Sequence, residues 1–189
     1  MPVSSSNNSS SKYNVIILGG GAAGLMCAIE AGRRGRSVVV LERNENIGEK
    51  IRISGGGRCN FTNVVTDHEH YVSNNPHFCK SALARFTPDD FIALLQKHGI
   101  KYHEKKLGQL FCDQGSSEII SMLEKECADA GVEIATGCLV SDVRKDQRFI
   151  VTTSGGELES DSMVIATGGL SIPKLGATDL GYRLAKKFG

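Results

Sequence analysis

Residues Tyr13–Gly24 read YNVIILGGGAAG, and this stretch decides the fold. Tyr13–Leu18 is a short apolar run ended by glycines, which suits a strand buried on both faces. Gly19, Gly21 and Gly24 fit the pattern G-x-G-x-x-G. The first glycine permits a tight strand-to-helix turn. The second removes a Cβ where a pyrophosphate approaches the backbone, and the third lets the helix pack close to the strand. Good helix formers run from Ala22 to Arg34, and Gly35 stands where a C-terminal cap belongs. Ser37–Leu41 (SVVVL) is a second buried strand, and an acid, Glu42, follows it. The whole is a β-α-β unit whose two strands pair in parallel. An anion at the turn would meet the unpaired N–H groups and positive end of the helix, from Ala22 and Ala23 onward. Glu42 lies 18 residues beyond Gly24 and offers a carboxylate to the ribose hydroxyls of an adenosine. Arg43 beside it can meet a phosphate, so NADP-type binding stays open, although the acid argues against it.

Working outward, Met1–Lys12 (MPVSSSNNSSSK) is low-complexity and polar and reads as a disordered tail without the apolar centre of a signal peptide. The ordered domain is expected over residues 13–189. Thr87-Pro88-Asp89-Asp90 marks a helix start, and that helix stops at Gly99. A second helix spans Ser116–Ala130, ended by Gly131, and Val132–Ala135 is a strand. Cys138–Val143, Phe149–Thr153 and a turn at Gly155-Gly156 leading to Leu158 form an antiparallel meander. Ser162–Ile165 is a further buried strand opening into Ala166-Thr167-Gly168-Gly169, and Asp179–Phe188 is helical. Residues Arg43–Arg85 are irregular by pattern. With no closing strand after the last helix, the chain reads as the N-terminal portion of a longer protein, a short final helix being the alternative.

The 189 residues carry 22 Lys plus Arg against 21 Asp plus Glu, a net charge of +1. That balance points away from nucleic acid and from an anionic membrane surface; a small-molecule substrate is expected. No apolar run approaches the ~18 residues of a membrane span. The 6 cysteines form no C-x-x-C pair and no ligand spacing, which suits a reducing, cytoplasmic setting. The composition leaves the oligomeric state open.

A second glycine cluster lies in Gly48–Asn63, GEKIRISGGGRCNFTN. Gly55, Gly56 and Gly57 expose bare amides, Ser54, Arg58 and Asn60 add donors, and Lys50 adds a cation. This chemistry suits a diphosphate and a polar ring edge together. A flexible turn-rich loop is the plainer alternative.

Taken together, GGGAAGLMCA, the acid-ended second strand, GEKIRISGGGRCNFTN and VIATGGLSIPKLGATDLGYRLAKKFG resemble the BaiN-like, aminoacetone-oxidase-type family of bacterial flavoproteins. The resemblance implies an α/β fold: a Rossmann-like, glutathione-reductase-like FAD-binding domain with a parallel sheet and an antiparallel β-meander. It implies FAD, its ADP half on Gly19, Gly21, Gly24 and Glu42, with NAD(P)H or an amine or alcohol substrate as electron donor. It places Ser54, Gly55, Gly56, Gly57, Arg58, Cys59 and Asn60 beside the phosphates and ring, the Val140 backbone at the adenine, and Thr167, Gly168 and Gly169 near the pyrophosphate. The family's members are longer, with an inserted substrate domain and a C-terminal block that completes the flavin site. The implied activity is hydride transfer through flavin N5. A non-catalytic dinucleotide-binding module and an NAD-only Rossmann enzyme are the alternatives.

Cys59 reads as a lining residue. The next cysteine is Cys79, so no short-spaced partner supports a dithiol relay. His68, His70 and His77 lack the cysteine or carboxylate spacing of a metal site and read as a solvated loop. No general acid or base is evident from the residues alone.

Overall fold

The computed structural model describes residues 11–189. In chain order the elements are β1 (Ser11–Leu18), α1 (Ala22–Arg33), β2 (Val38–Leu41), α2 (Glu49–Ile53), β3 (Asn60–Asn63), α3 (Lys80–Arg85), α4 (Pro88–Lys97), β4 (Tyr102–Glu104) and β5 (Gln109–Cys112). Then follow α5 (Ser116–Asp129), β6 (Glu133–Ala135), β7 (Val140–Lys145), β8 (Phe149–Thr153), β9 (Gly156–Ile165) and α6 (Leu180–Phe188). The described residues divide into two compact units, one of residues 11–49 with 124–189 and one of residues 50–123.

The first unit is a six-stranded sheet in the order β6-β2-β1-β9-β8-β7. β2 and β9 flank β1 in parallel, and β6 is parallel to β2. β8 and β7 continue the sheet in antiparallel pairing. This is the expected Rossmann-like α/β architecture with an antiparallel meander. All four residues of β2 are buried, as a parallel strand covered on both faces requires. Burial of each such Val or Leu is worth about 1.5–3 kcal/mol. The residues α1 buries, Gly24, Leu25, Ala28 and Ile29, recur at helical spacing. Gly35, in the left-handed region at φ +72°, follows the C-cap of α1. Leu184 of α6 joins Ile16, Leu18, Val39, Leu41, Val143 and Val151 in one apolar cluster.

Several boundaries differ from expectation for identifiable reasons. The expected tail falls largely on residues 1–10, which lie outside the described residues. Its last two, Ser11 and Lys12, belong to β1, where they pair with Leu158 and Glu159 of β9. Backbone pairing needs no apolar side chain, so the pattern could not mark this start. Ser37 stands before β2, and its amide and hydroxyl both bond the Asn14 side chain, at 3.0 and 3.2 Å. β7 begins at Val140 because Gly137 N–H and Cys138 N–H donate to Asn44 O and Glu42 O, both at 2.9 Å, before the β7–β8 ladder starts. The segments expected at Leu158 and at Ser162–Ile165 are one ten-residue strand, β9. In its polar middle Arg148 pairs with Asp161, while Ser160 is fully buried and its Oγ has no hydrogen-bond partner among the described residues.

The second unit overturns the reading of Arg43–Arg85 as irregular. That stretch contains α2, a 3-10 turn at Ser54–Gly57, β3, a second 3-10 turn at His68–His70, and α3. β3, β5 and β4 form an antiparallel three-stranded sheet. Strands of three or four residues are too short to show a period-2 signal. On one side of this sheet Phe61 meets the Phe91 ring of α4 at 5.8 Å and the Tyr102 ring at 5.6 Å. α4 starts as expected, with a reciprocal capping box between Thr87 and Asp90 and Pro88 in the first turn. α5 begins in this unit and ends in the first. There its Glu126, 1% exposed, pairs with Arg33 of α1.

Candidate nucleotide-binding site

The β1–α1 turn is shaped by its glycines. Gly19 takes φ +109°, and a Cβ there would lie 2.6 Å from Ala166 O. At Gly24 a Cβ would lie 2.0 Å from Gly19 O, so the helix seats directly on the turn. Gly21 is different. Among the described residues, nothing lies within 4 Å of where its Cβ would be. Gly21 is the N-cap of α1 but supplies no side-chain cap, and the first turn holds no acid. Helix geometry leaves the amides of Ala22, Ala23 and Gly24 without intrahelical acceptors, and the side chains of Ala22 and Ala23 are exposed. The corner is therefore a shallow cradle of free N–H groups at the positive end of a helix, shaped for an anion with room for its oxygens.

The carboxylate of Glu42 closes one side. Oε2 accepts from Gly20 N–H at 2.7 Å, and Oε1 accepts from Asn44 N–H at 2.8 Å. The sequence suggests a ribose partner for this group; in the structure it holds the turn. Two acceptances leave lone pairs over for a ribose. Gly48 N–H donates to Gly20 O at 2.9 Å, which fixes the loop after β2 against the same turn. Arg43 is exposed.

Thr167, Gly168 and Gly169 follow β9, and Thr167 borders this corner. Ala166 N–H donates to Leu18 O at 2.9 Å, and Ala166 O and Thr167 Cα bound the space at Gly19. Val140 lies in the β7–β8 ladder opposite Thr153 and packs on the apolar cluster. The segment that adjoins Glu42 is Gly137–Cys138, just before Val140. That contact spans nearly a hundred residues, and nothing local announces it.

In the second unit, the Ser54–Asn60 loop is compact. Gly55 and Gly56 both lie in the left-handed region, at φ +57° and +67°. Ser54 Oγ donates to Ile51 O at 2.8 Å, and Cys59 N–H donates to Ser54 O at 3.0 Å. Gly55, Gly56, Gly57, Arg58 and Asn60 are exposed while Cys59 is buried, and Lys50 is exposed on α2. The loop thus presents backbone to its surroundings and keeps its thiol inside.

Cys112 N–H donates to Arg58 O at 3.1 Å and to Cys59 O at 3.4 Å, so Cys59 has a cysteine neighbour that spacing along the chain did not reveal. Burial pushes the Cys59 thiol above its usual value. Cys112 is pushed up to about 12, first by burial, then by the neighbouring Cys59, Glu118 and Asp113. Both are neutral thiols at pH 7 and hence weak nucleophiles. His68 and His70 stand on a surface turn, where His70 Nδ1 meets Asp67 Oδ1 at 2.9 Å. No described helix is long and apolar enough to cross a membrane.

Fold and corner together define a Rossmann-type α/β domain with an anion cradle at its first strand-to-helix turn. The chain belongs to the family described as the HI0933-like protein Rossmann domain, whose model matches residues 13–189. It is 50% identical over 169 residues to a ribosomal RNA dihydrouridine synthase of Escherichia coli K12, covering 89% of this chain and 42% of that protein. It is 33% identical over 173 residues to a 3-dehydro-bile acid delta(4,6)-reductase of Clostridium scindens, covering 89% and 42%. The chain therefore spans less than half the length of these relatives. Among solved structures, glycine oxidase from Geobacillus kaustophilus shares the fold at a TM-score of 0.58 with 18% identity, over 89% of this chain and 58% of that one. The resemblance read from the motifs thus resolves to the HI0933-like family.

Proposed function

We propose that the chain is the FAD-binding part of a flavin-dependent reductase that adds two hydrogens to a carbon–carbon double bond conjugated to a carbonyl. The observation that carries this is the open Gly21 cradle beneath the unpaired amides of Ala22, Ala23 and Gly24, which fits a pyrophosphate. The names of the two curated relatives share this chemistry, since a dihydrouridine and a reduced dienone both come from saturating a bond next to a carbonyl. When bound, FAD supplies the hydride and takes its electrons from NAD(P)H.

The chain's own residues supply binding. Gly19, Gly21, Ala22, Ala23 and Gly24 hold the diphosphate, and Glu42 accepts from the ribose. Thr167, Gly168 and Gly169 border the diphosphate. The Ser54–Asn60 loop, with Lys50, offers amides and positive charge to the cofactor, and Arg43 and Val140 stand at the adenosine end. The substrate is a uracil in ribosomal RNA, in keeping with the relative that is half identical. The charge balance that argued against nucleic acid was counted over less than half of such a protein's length. A cytoplasmic location follows from that substrate.

The test is direct. Purified protein should carry the visible absorbance of flavin, bleach on addition of NADPH, and convert uridine to dihydrouridine in an unmodified ribosomal RNA transcript, read as a gain of two hydrogens by mass spectrometry. Colourless protein that fails to take up FAD would refute the proposal. Coloured, NADPH-reducible protein that reduces a 3-oxo-4,6-dienoic steroid but not RNA would move the substrate to the small-molecule class.

A further inference from the structure

We infer that the segment Thr167–Gly176 is a further wall of the nucleotide site, meeting the ribose and adenine with apolar side chains, and that Asn44 is the positioning residue that fastens it. The inference rests on the reading of the β1–α1 corner as a cofactor site and deepens it. Every residue it uses belongs to the first unit.

The segment is anchored at both ends of that corner. At its start, Thr167 Cα lies 3.0 Å from where a Cβ on Gly19 would be, which is the diphosphate end. At its far end, Asn44 Nδ2 donates to Leu175 O at 3.3 Å, and a Cβ at Gly176 would lie 2.7 Å from Asn44 Oδ1. Asn44 stands two residues beyond Glu42, and its N–H donates to Glu42 Oε1 at 2.8 Å. The far end is therefore the ribose end. Asn44 O also accepts from Gly137 N–H at 2.9 Å. One half-buried residue thus joins the ribose acceptor, the approach to β7 and the end of the segment.

Between its anchors the segment offers its chemistry in the order that a nucleoside diphosphate needs. Gly168 and Gly169 come first and bring backbone without side chains. α6 backs this half, since a Cβ at Gly169 would lie 3.3 Å from the Tyr182 hydroxyl. Leu170 and Ile172 follow, 55% and 45% exposed. Water is a poor partner for these side chains, and the faces of a ribose and a purine are a good one.

The backbone singles out Ile172. It sits in the left-handed region, at φ +58° and ψ +70°, just before Pro173. A β-branched side chain at positive φ is a genuine outlier. The next turn imposes this conformation. Leu175 N–H donates to Ile172 O and Gly176 N–H to Pro173 O, both at 3.0 Å, while Asn44 holds the carbonyl of Leu175. Glycine or asparagine would take the same backbone with less strain, so the turn by itself does not call for isoleucine. Strained residues of this kind cluster at ligand clamps.

The experiment titrates the flavin-free full chain with ADP by calorimetry and melts the ligand-free protein beside it. ADP carries the diphosphate, ribose and adenine that the corner and the wall are to hold. Ile172→Asn should keep or raise the ligand-free Tm, because asparagine tolerates the left-handed region, and yet weaken ADP by about tenfold through the lost apolar contact. Ile172→Val keeps a β-branched apolar side chain and should bind ADP within about threefold of wild type. Asn44→Ala loses one hydrogen bond and should lower Tm by no more than about 5 °C, yet weaken ADP by about tenfold. A purely structural role would do the reverse, moving Tm and leaving the ADP constant alone. An ADP constant within about twofold of wild type in Ile172→Asn, or equal losses in Ile172→Asn and Ile172→Val, would overturn the apolar wall. The same constant in Asn44→Ala would overturn the positioning role of Asn44. Wild-type chain that binds no ADP would instead overturn the reading of the corner as a nucleotide site.

Discussion

Replacing Gly24 by Ala and, separately, Gly21 by Ala tests the nucleotide corner through two opposite steric situations. At Gly24 the new Cβ would lie 2.0 Å from Gly19 O. An ordinary C···O approach is about 3.3 Å, so helix and turn must part by about 1 Å. Both partners are backbone, and neither has a rotamer to yield. Overpacking of this kind costs about 1–3 kcal/mol, and a clash between two main-chain segments belongs at the upper end. For a chain of this size that lowers Tm by about 5–10 °C. At Gly21 no described residue lies within 4 Å of the new Cβ, and φ is −86°, which any residue adopts. Stability should move by less than about 1 kcal/mol, chiefly because Ala is a poorer N-cap than Gly. The same methyl would occupy the space proposed for the diphosphate, so FAD affinity should fall by at least about tenfold, or about 1.4 kcal/mol. Thermal melts of the cofactor-free proteins and flavin retention on desalting read the two effects separately. If both variants melt alike and retain flavin alike, the division of labour argued here between packing glycine and cradle glycine is wrong.

Two further outcomes follow from buried ionisable groups. Arg33→Ala removes the cation that pairs with Glu126, which is 1% exposed, and should destabilise the protein by about 3 kcal/mol, the low end for breaking a buried pair because Arg33 is itself half-exposed; the urea midpoint measures it. Cys112 is raised to about 12 and Cys127 to about 11, both first by burial, and Tyr13 to about 12 by burial and by its hydrogen bond to Glu133. Groups whose protons are held more tightly in the folded state stabilise it below their unfolded values and cease to do so as pH rises through the folded ones. Stability should therefore fall progressively from about pH 9 to pH 12, with Tyr13→Phe flattening the part above pH 10; denaturant midpoints against pH check both.

What the amino-acid sequence determined by itself is whatever lies contiguous in the chain. The apolar run into Leu18, the three motif glycines, the helix and the buried strand to Leu41 form one uninterrupted unit. The reasons for each residue are local: a left-handed φ at Gly19, a missing Cβ at Gly24, a run buried on both faces. The capping box of α4 was legible on the same ground. Tertiary structure decided the rest, because pairing partners far apart leave no local trace. Leu158 and Ser162–Ile165 became one strand only because β1 lies along one edge of it and β8 along the other. The sheet of β3, β5 and β4 joins segments of three or four residues, each too short to declare a period. Glu42 was visible as an acid at a strand end, but its hold on Gly20 N–H depends on the turn folding back over β2. By sequence His103 flanks a helix end and needs no special role, and only the register of β4 against β5 sets it on Phe111 and within reach of Asp113.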